Sequence, residues 1–222
     1  MFVAKQDSFE NCAPATEAHA HQDQQVSVRS MPHSDGLTGL VAGTLVETDC
    51  GWQPVETLRL GDRVQTYDGG LQSITRLQRI AISAEAMARR GVLHVPGGAL
   101  GNCDALFLLD NQQVMIEDPV VEKYFGGTSV LVPAQAMDGY CGIRRFFGGH
   151  RTCAVSLGFA DEELIYANSG VLFHCAVKPD VNSDFFTQLG PKSAQTLLQR
   201  IMAERETMPG AFDWLKQQKI AA

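Results

Sequence analysis

The feature that most constrains this chain is its punctuation. From residue 37 to residue 177, short apolar runs alternate with glycine, proline and aspartate. Gly43-Thr44-Leu45-Val46-Glu47-Thr48 is followed by Asp49-Cys50-Gly51 and then by Gln53-Pro54-Val55. Leu60-Gly61-Asp62, Arg63-Val64-Gln65-Thr66-Tyr67 and the turn Asp68-Gly69-Gly70 continue the pattern. Strands of about five residues, set off by turn residues at roughly 8–12-residue intervals, specify an all-β domain. Further strands are expected at 71–82, 92–95, 105–108, 113–116, 129–132, 153–157, 164–167 and 171–175. The glycines concentrate in the same region, as they do where strands bend, bulge or cross closely.

The flanks follow other rules. Residues 1–36 hold Ala18-His19-Ala20-His21-Gln22 and Pro32-His33-Ser34-Asp35-Gly36, with few apolar clusters. Such a segment cannot bury enough apolar surface to offset its ordering entropy, and a disordered arm is expected. Its His19, His21 and His33 lack carboxylates or cysteines at ligand spacing, so no metal site is assigned there. Residues 178–222 change to a helical period. Ser193 is placed to cap a helix with Ala194, Leu197, Leu198, Ile201 and Met202 on one face. Met208-Pro209-Gly210 breaks it, and Phe212, Trp214, Leu215 and Ile220 follow in a short helical end. An apolar stripe of this kind packs on its parent domain, or else meets a partner protein. The expected organisation is therefore an arm (1–36), a β-domain (37–177) and a helical extension (178–222).

Composition narrows the function classes. The formal net charge is −7 over 222 residues, which argues against a nucleic-acid partner. No run approaches the ~20 apolar residues of a membrane helix. The N-terminus lacks a charged region followed by an apolar run, so no signal peptide is visible. The six cysteines form no CxxC pair, and reduced thiols in a cytoplasm are expected, with leaderless export the alternative. There is no HExxH, GxSxG, Walker or Rossmann glycine pattern, and no cofactor is implied. His94 and His150 are isolated. Residues 144–151, Arg-Arg-Phe-Phe-Gly-Gly-His-Arg, form a basic-aromatic cluster read as a charged hairpin tip, with anion or partner binding as its other use.

One stretch is more specific. Residues 39–48, Gly-Leu-Val-Ala-Gly-Thr-Leu-Val-Glu-Thr, lead into Pro54-Val55-Glu56-Thr57-Leu58 and Leu60-Gly61-Asp62-Arg63-Val64. This resembles the opening of Hint domains, the fold shared by Hedgehog autoprocessing domains and inteins, and is most similar to the bacterial Hint-type domain. Gly98-Ala99-Leu100-Gly101, Val132-Pro133-Ala134 and residues 164–170 resemble later segments in the same order. The resemblance spans about residues 37–177 and implies the Hint β-fold, followed here by the helical extension.

The resemblance also implies a chemistry. Active Hint domains shift an acyl group from nitrogen to sulfur or oxygen, using a Cys or Ser at the first position and a Thr-x-x-His set in a second block. Such a step needs an activated nucleophile and donors for the developing oxyanion. Here the nucleophile position is Gly39, which has no reactive atom. In the second block, residues 106–116, the hydroxyl position is Leu109 and the histidine position is Gln112. A carboxamide hydrogen-bonds but does not exchange a proton near neutral pH. The late-block histidine would fall near Ala160. The substitutes are Thr44, five residues after Gly39, and Cys50 in the first hairpin turn, neither with a base nearby in sequence. Asn168-Ser169 is similar to an intein's C-terminal junction, but Ala167 stands where the customary histidine would be, and a left-handed turn accounts for the pair. The expectation is a Hint-like domain without autoproteolysis that serves as a binding or structural module. The alternative is acyl transfer from a non-standard nucleophile.

Overall fold

Two antiparallel sheets divide the chain between Leu40 and Cys175. The computed structural model describes residues 38–148, 150–177, 183 and 185–207. The arm expected over 1–36, the break at Met208-Pro209-Gly210 and the apolar residues after it lie outside the described residues.

In chain order the strands are β1 (Leu40–Val41), β2 (Leu45–Thr48), β3 (Gly51–Pro54), β4 (Arg63–Thr66), β5 (Gly70–Ser73) and β6 (Arg76–Ile82). Helix α1 (Ala84–Arg90) separates these from β7 (Val92–Val95), β8 (Leu106–Leu108) and β9 (Gln113–Glu117). Helix α2 (Pro119–Phe125) leads to β10 (Ser129–Pro133) and β11 (Arg144–Phe146). The chain then forms β12 (Thr152–Gly158), β13 (Glu163–Ala167), β14 (Val171–Cys175) and helix α3 (Pro191–Thr207). One sheet has the order β11-β7-β8-β1-β12-β6. The other has the order β10-β9-β14-β13-β2-β4-β5, with β3 paired to β2.

The expected all-β domain is present, with three local differences. The strand expected over 71–82 is two strands in two sheets. β5 pairs with β4, whereas β6 pairs with β12 through all seven of its residues, from Thr152↔Ile82 to Gly158↔Arg76. The change of partner occurs at Ile74, which turns inward and is 2% exposed. There the Ile74 N–H donates to Asp62 and the Thr75 N–H to Gly158. Two short helices also interrupt the β pattern. Ser83 caps α1 through the Ala86 N–H, and Asp118 caps α2 through the Val120 N–H, with Pro119 in its first turn. Last, β11 is a sheet edge rather than part of a free hairpin tip.

The main core lies between the sheets and includes Leu40, Val46, Leu93, Val114, Val155 and Phe173. Helix α3 belongs to this core. Its Ala194, Leu197, Leu198 and Ile201 are buried in it, and Met202 packs against it. These are the stripe positions read from the sequence. The start differs: α3 begins at Pro191, and the Ala194 N–H donates to Gly190, so Ser193 is inside the helix rather than its cap. Arg205 reaches the α2 cap Asp118 at 2.9 Å, and Lys123 reaches Glu204 at 3.1 Å. Exposed pairs of this sort contribute little, about 0–1 kcal/mol. Each buried Leu or Ile contributes about 1.5–3 kcal/mol. The apolar stripe therefore sets the docking of α3. Leu198→Ala is expected to cost about 2–5 kcal/mol in urea unfolding, against about 0.5 kcal/mol or less for the exposed Gln199→Ala.

Candidate functional site

Gly39 and Gln112 are 73 positions apart in sequence and meet in the fold. The Gly39 N–H donates to Gln112 Oε1 at 3.0 Å, in a buried contact. Both ends are placed by strands. Gly39 immediately precedes β1, which lies between β8 and β12 through Leu40↔Leu108 and Leu40↔Val155. Gln112 closes the turn from β8 to β9, where its own N–H donates to Leu109 and its carbonyl accepts from Ala134. The Gln112 side chain is 3% exposed. Its Nε2 donates to the Gln113 carbonyl at 3.0 Å and to the His174 carbonyl at 3.2 Å. Its oxygen and both its amide hydrogens are thus engaged by buried backbone.

The backbone at Gly39 disfavours a side chain. Its φ is +134°, a region that side-chain-bearing residues rarely occupy. A Cβ there would come within 3.0 Å of the Val155 oxygen and 3.2 Å of its carbonyl carbon. Those atoms are in the middle of β12 and cannot yield as a flexible side chain would.

The substitute residues are committed elsewhere. Thr44 is 3% exposed, and its hydroxyl donates to the Val41 carbonyl at 2.7 Å. Cys50, expected as a reduced thiol, is disulfide-bonded in this structure. Cys103, Cys141, Cys153 and Cys175 are free thiols. Asn168 and Ser169 form the left-handed turn read from the sequence, with φ of 43° and 76°. The Asn168 side chain accepts from the Leu45 N–H at 2.8 Å and donates to the Asp104 carbonyl, so it braces β2 against the 98–104 loop. Gly170, in the same turn, approaches the Gly101 backbone so closely that a Cβ would fall 2.2 Å from the Gly101 oxygen.

One constellation was not legible in the sequence. His174 Nε2 lies 2.7 Å from Glu162 Oε1, with side chains only 4% and 8% exposed. Ser183 Oγ donates to the same carboxylate oxygen. The His174 carbonyl is one of the acceptors of Gln112, so this buried pair stands directly behind the Gly39–Gln112 contact. No motif spacing announces it, because Glu162 lies in a turn and His174 in a strand. The neighbouring Cys175 thiol is pushed up to about 12 by burial.

Two outcomes follow from this geometry. Gly39→Ala is expected to lose about 1–3 kcal/mol through its strained φ, read as a lower thermal midpoint in calorimetry. Gln112→Ala, which strands one buried N–H and two carbonyls, is expected to lose about 1–3 kcal/mol or more by the same measurement. Thiol mapping by mass spectrometry checks the burial pattern. Maleimide at pH 8 is expected to label exposed Cys103 first and to spare Cys175 until the protein is unfolded.

The Hint domain family matches residues 38–172. Solved structures similar to the chain include a bacterial intein-like domain from Clostridium thermocellum, 14% identical, covering 63% of this chain and 99% of that one, with a TM-score of 0.46. A splice-inactive variant of the AceL NrdHF class 3 split intein is also similar, at 14% identity and a TM-score of 0.41, covering 64% of this chain and 99% of that one. No curated protein matches. With its matched segment running from just before Gly39 into β14, the chain belongs to the Hint domain family.

Proposed function

We propose that this domain keeps the Hint framework without self-cleavage and serves as a binding or structural module. The observation that carries the reading is the 3.0 Å contact from the Gly39 N–H to Gln112 Oε1. Acyl transfer at this position would break the bond between Thr38 and Gly39. It requires a side-chain nucleophile on residue 39 to attack the Thr38 carbonyl. It also requires a donor that protonates the departing Gly39 nitrogen. Gly39 supplies no such atom. Gln112 presents an acceptor to that nitrogen, so the polarity of the contact is opposite to what the leaving group needs. The amide hydrogens of Gln112 are spent on the Gln113 and His174 carbonyls. The arrangement stabilises an intact peptide rather than a departing amine.

The commitments of Thr44 and Cys50 support the same reading, since neither holds a free nucleophile against a base. The test is the intact mass of the purified full-length chain after prolonged incubation with a thiol or with hydroxylamine. A single full-length mass is expected under every condition. A fragment pair that corresponds to cleavage after residue 38 would overturn the proposal.

A further inference from the structure

The outer face of the six-stranded sheet is covered at its centre by α1, whose Met87 packs with Val41, Ile82, Val92 and Ala154. β11 is the edge of the sheet and pairs there with β7. The register sets Arg144 opposite His94, and His94 opposite Phe107. Directly opposed residues share a face, so these three make a row across the strands. Phe146, two residues beyond Arg144, is on the same face, with its ring 5.8 Å from Phe107. Phe146 and Phe147 are 48% and 59% exposed.

Helix α1 adds charge to this edge. Arg89 and Arg90 occupy its last turn and are exposed. Arg145 ties the helix to the edge strand, donating to the Arg90 carbonyl at 3.0 Å and to Asp110 at 2.8 Å. Gly91 lies so close that a Cβ on it would fall 2.6 Å from the Phe146 oxygen. Among the described residues, no salt bridge engages Arg89, Arg90 or Arg144. On a chain with a net charge of −7, this is a local reversal of sign beside two exposed phenylalanines.

We propose that the β11 edge docks an extended acidic segment of a partner protein. The segment adds to β11 as a strand, with carboxylates against Arg144 and the α1 arginines and an apolar side chain on Phe146. Among the described residues no strand pairs with β11 on the side away from β7, so an extended peptide can add there. Residues opposite Arg144 and Phe146 are two apart on the incoming strand, so one face carries both the charge and the apolar contact. A single-stranded nucleic acid fits less well. The Phe107 and Phe146 rings are tilted 43° against each other rather than laid out as open stacking platforms. This inference rests on the reading of the domain as a binding module, and not on the silence of the Gly39 bond.

The test is a fluorescence-anisotropy titration of full-length protein into a labelled peptide of about ten alternating glutamates and valines. Saturable binding is expected, weakening as salt is raised. Arg89→Gln with Arg144→Gln is expected to weaken it by about tenfold or more, with the thermal midpoint checked for an intact fold. A peptide with its central valine replaced by proline is expected to lose a similar factor, because proline removes a ladder donor without touching the protein. Equal binding of the proline peptide, or of a lysine–valine peptide, would overturn the proposal. So would a preference for oligothymidine or for phosphatidylserine vesicles, or no binding to the glutamate peptide. Intact mass on the same sample reads the Gly39 bond separately, so the failure of one reading is distinguished from the failure of the other.

Discussion

A single carboxamide links the parts of this domain that chain topology keeps separate. Gln112 accepts from the backbone ahead of β1 in one sheet and donates to the backbone of β9 and β14 in the other. The contacts to Gly39 and His174 are buried and that to Gln113 is half-buried, and an unpaired buried group would cost about 1–3 kcal/mol. Gln112 satisfies these three backbone groups with one planar group of fixed geometry. A shorter amide would not reach, and an apolar residue would leave all three stranded. The sheets are packed by hydrophobic contact, which is non-directional. The orientation of the β1 entry relative to β9 and β14 is held by this directional contact.

The rest of the architecture is consistent with such a junction. The chain changes sheets at Ile74-Thr75, where the buried Ile74 anchors the link between β5 and β6 in the core. Helix α3 then closes the β10 side through Ala194, Leu197, Leu198 and Ile201. The Glu162–His174 pair, with Ser183 on the same carboxylate, joins a β turn, β14 and the segment that leads to α3. A buried pair of this kind is a weak source of net stability but a strong constraint on which groups lie beside each other.

Much of this was legible in residue order. Turn residues at regular intervals identify the β-domain because glycine and Asx residues are what left-handed turns favour, as Asn168 and Gly61 show. The α3 stripe was readable because a 3.6-residue period exposes which side chains share a face. Gly39 and Gln112 were singled out one at a time from the resemblance, but their contact was not, since pairing across 73 positions leaves no local trace. The sheet switch at Ile74 leaves no mark in the sequence because residues 71–82 hold no glycine, proline or Asx turn residue, and such a stretch reads as one strand whether or not its partners change. Helices α1 and α2 carry ordinary start signals, Ser83 and Asp118-Pro119, but each is only seven residues long and sits inside a regular strand pattern that hides it. The pairing of Glu162 with His174 depends wholly on tertiary placement.

The backbone at Gly39 has a consequence for the history open to this domain. Val155, whose oxygen a side chain at position 39 would meet, belongs to a strand paired with β6 along its whole length. A codon change at position 39 alone therefore puts a strained residue against a wall that cannot retreat without loosening that ladder. The path to a reactive side chain at this point runs first through rearrangement of β12, and only afterwards through the substitution itself. Glycine at this position is entrenched by the strand behind it, whatever the demand on the bond in front.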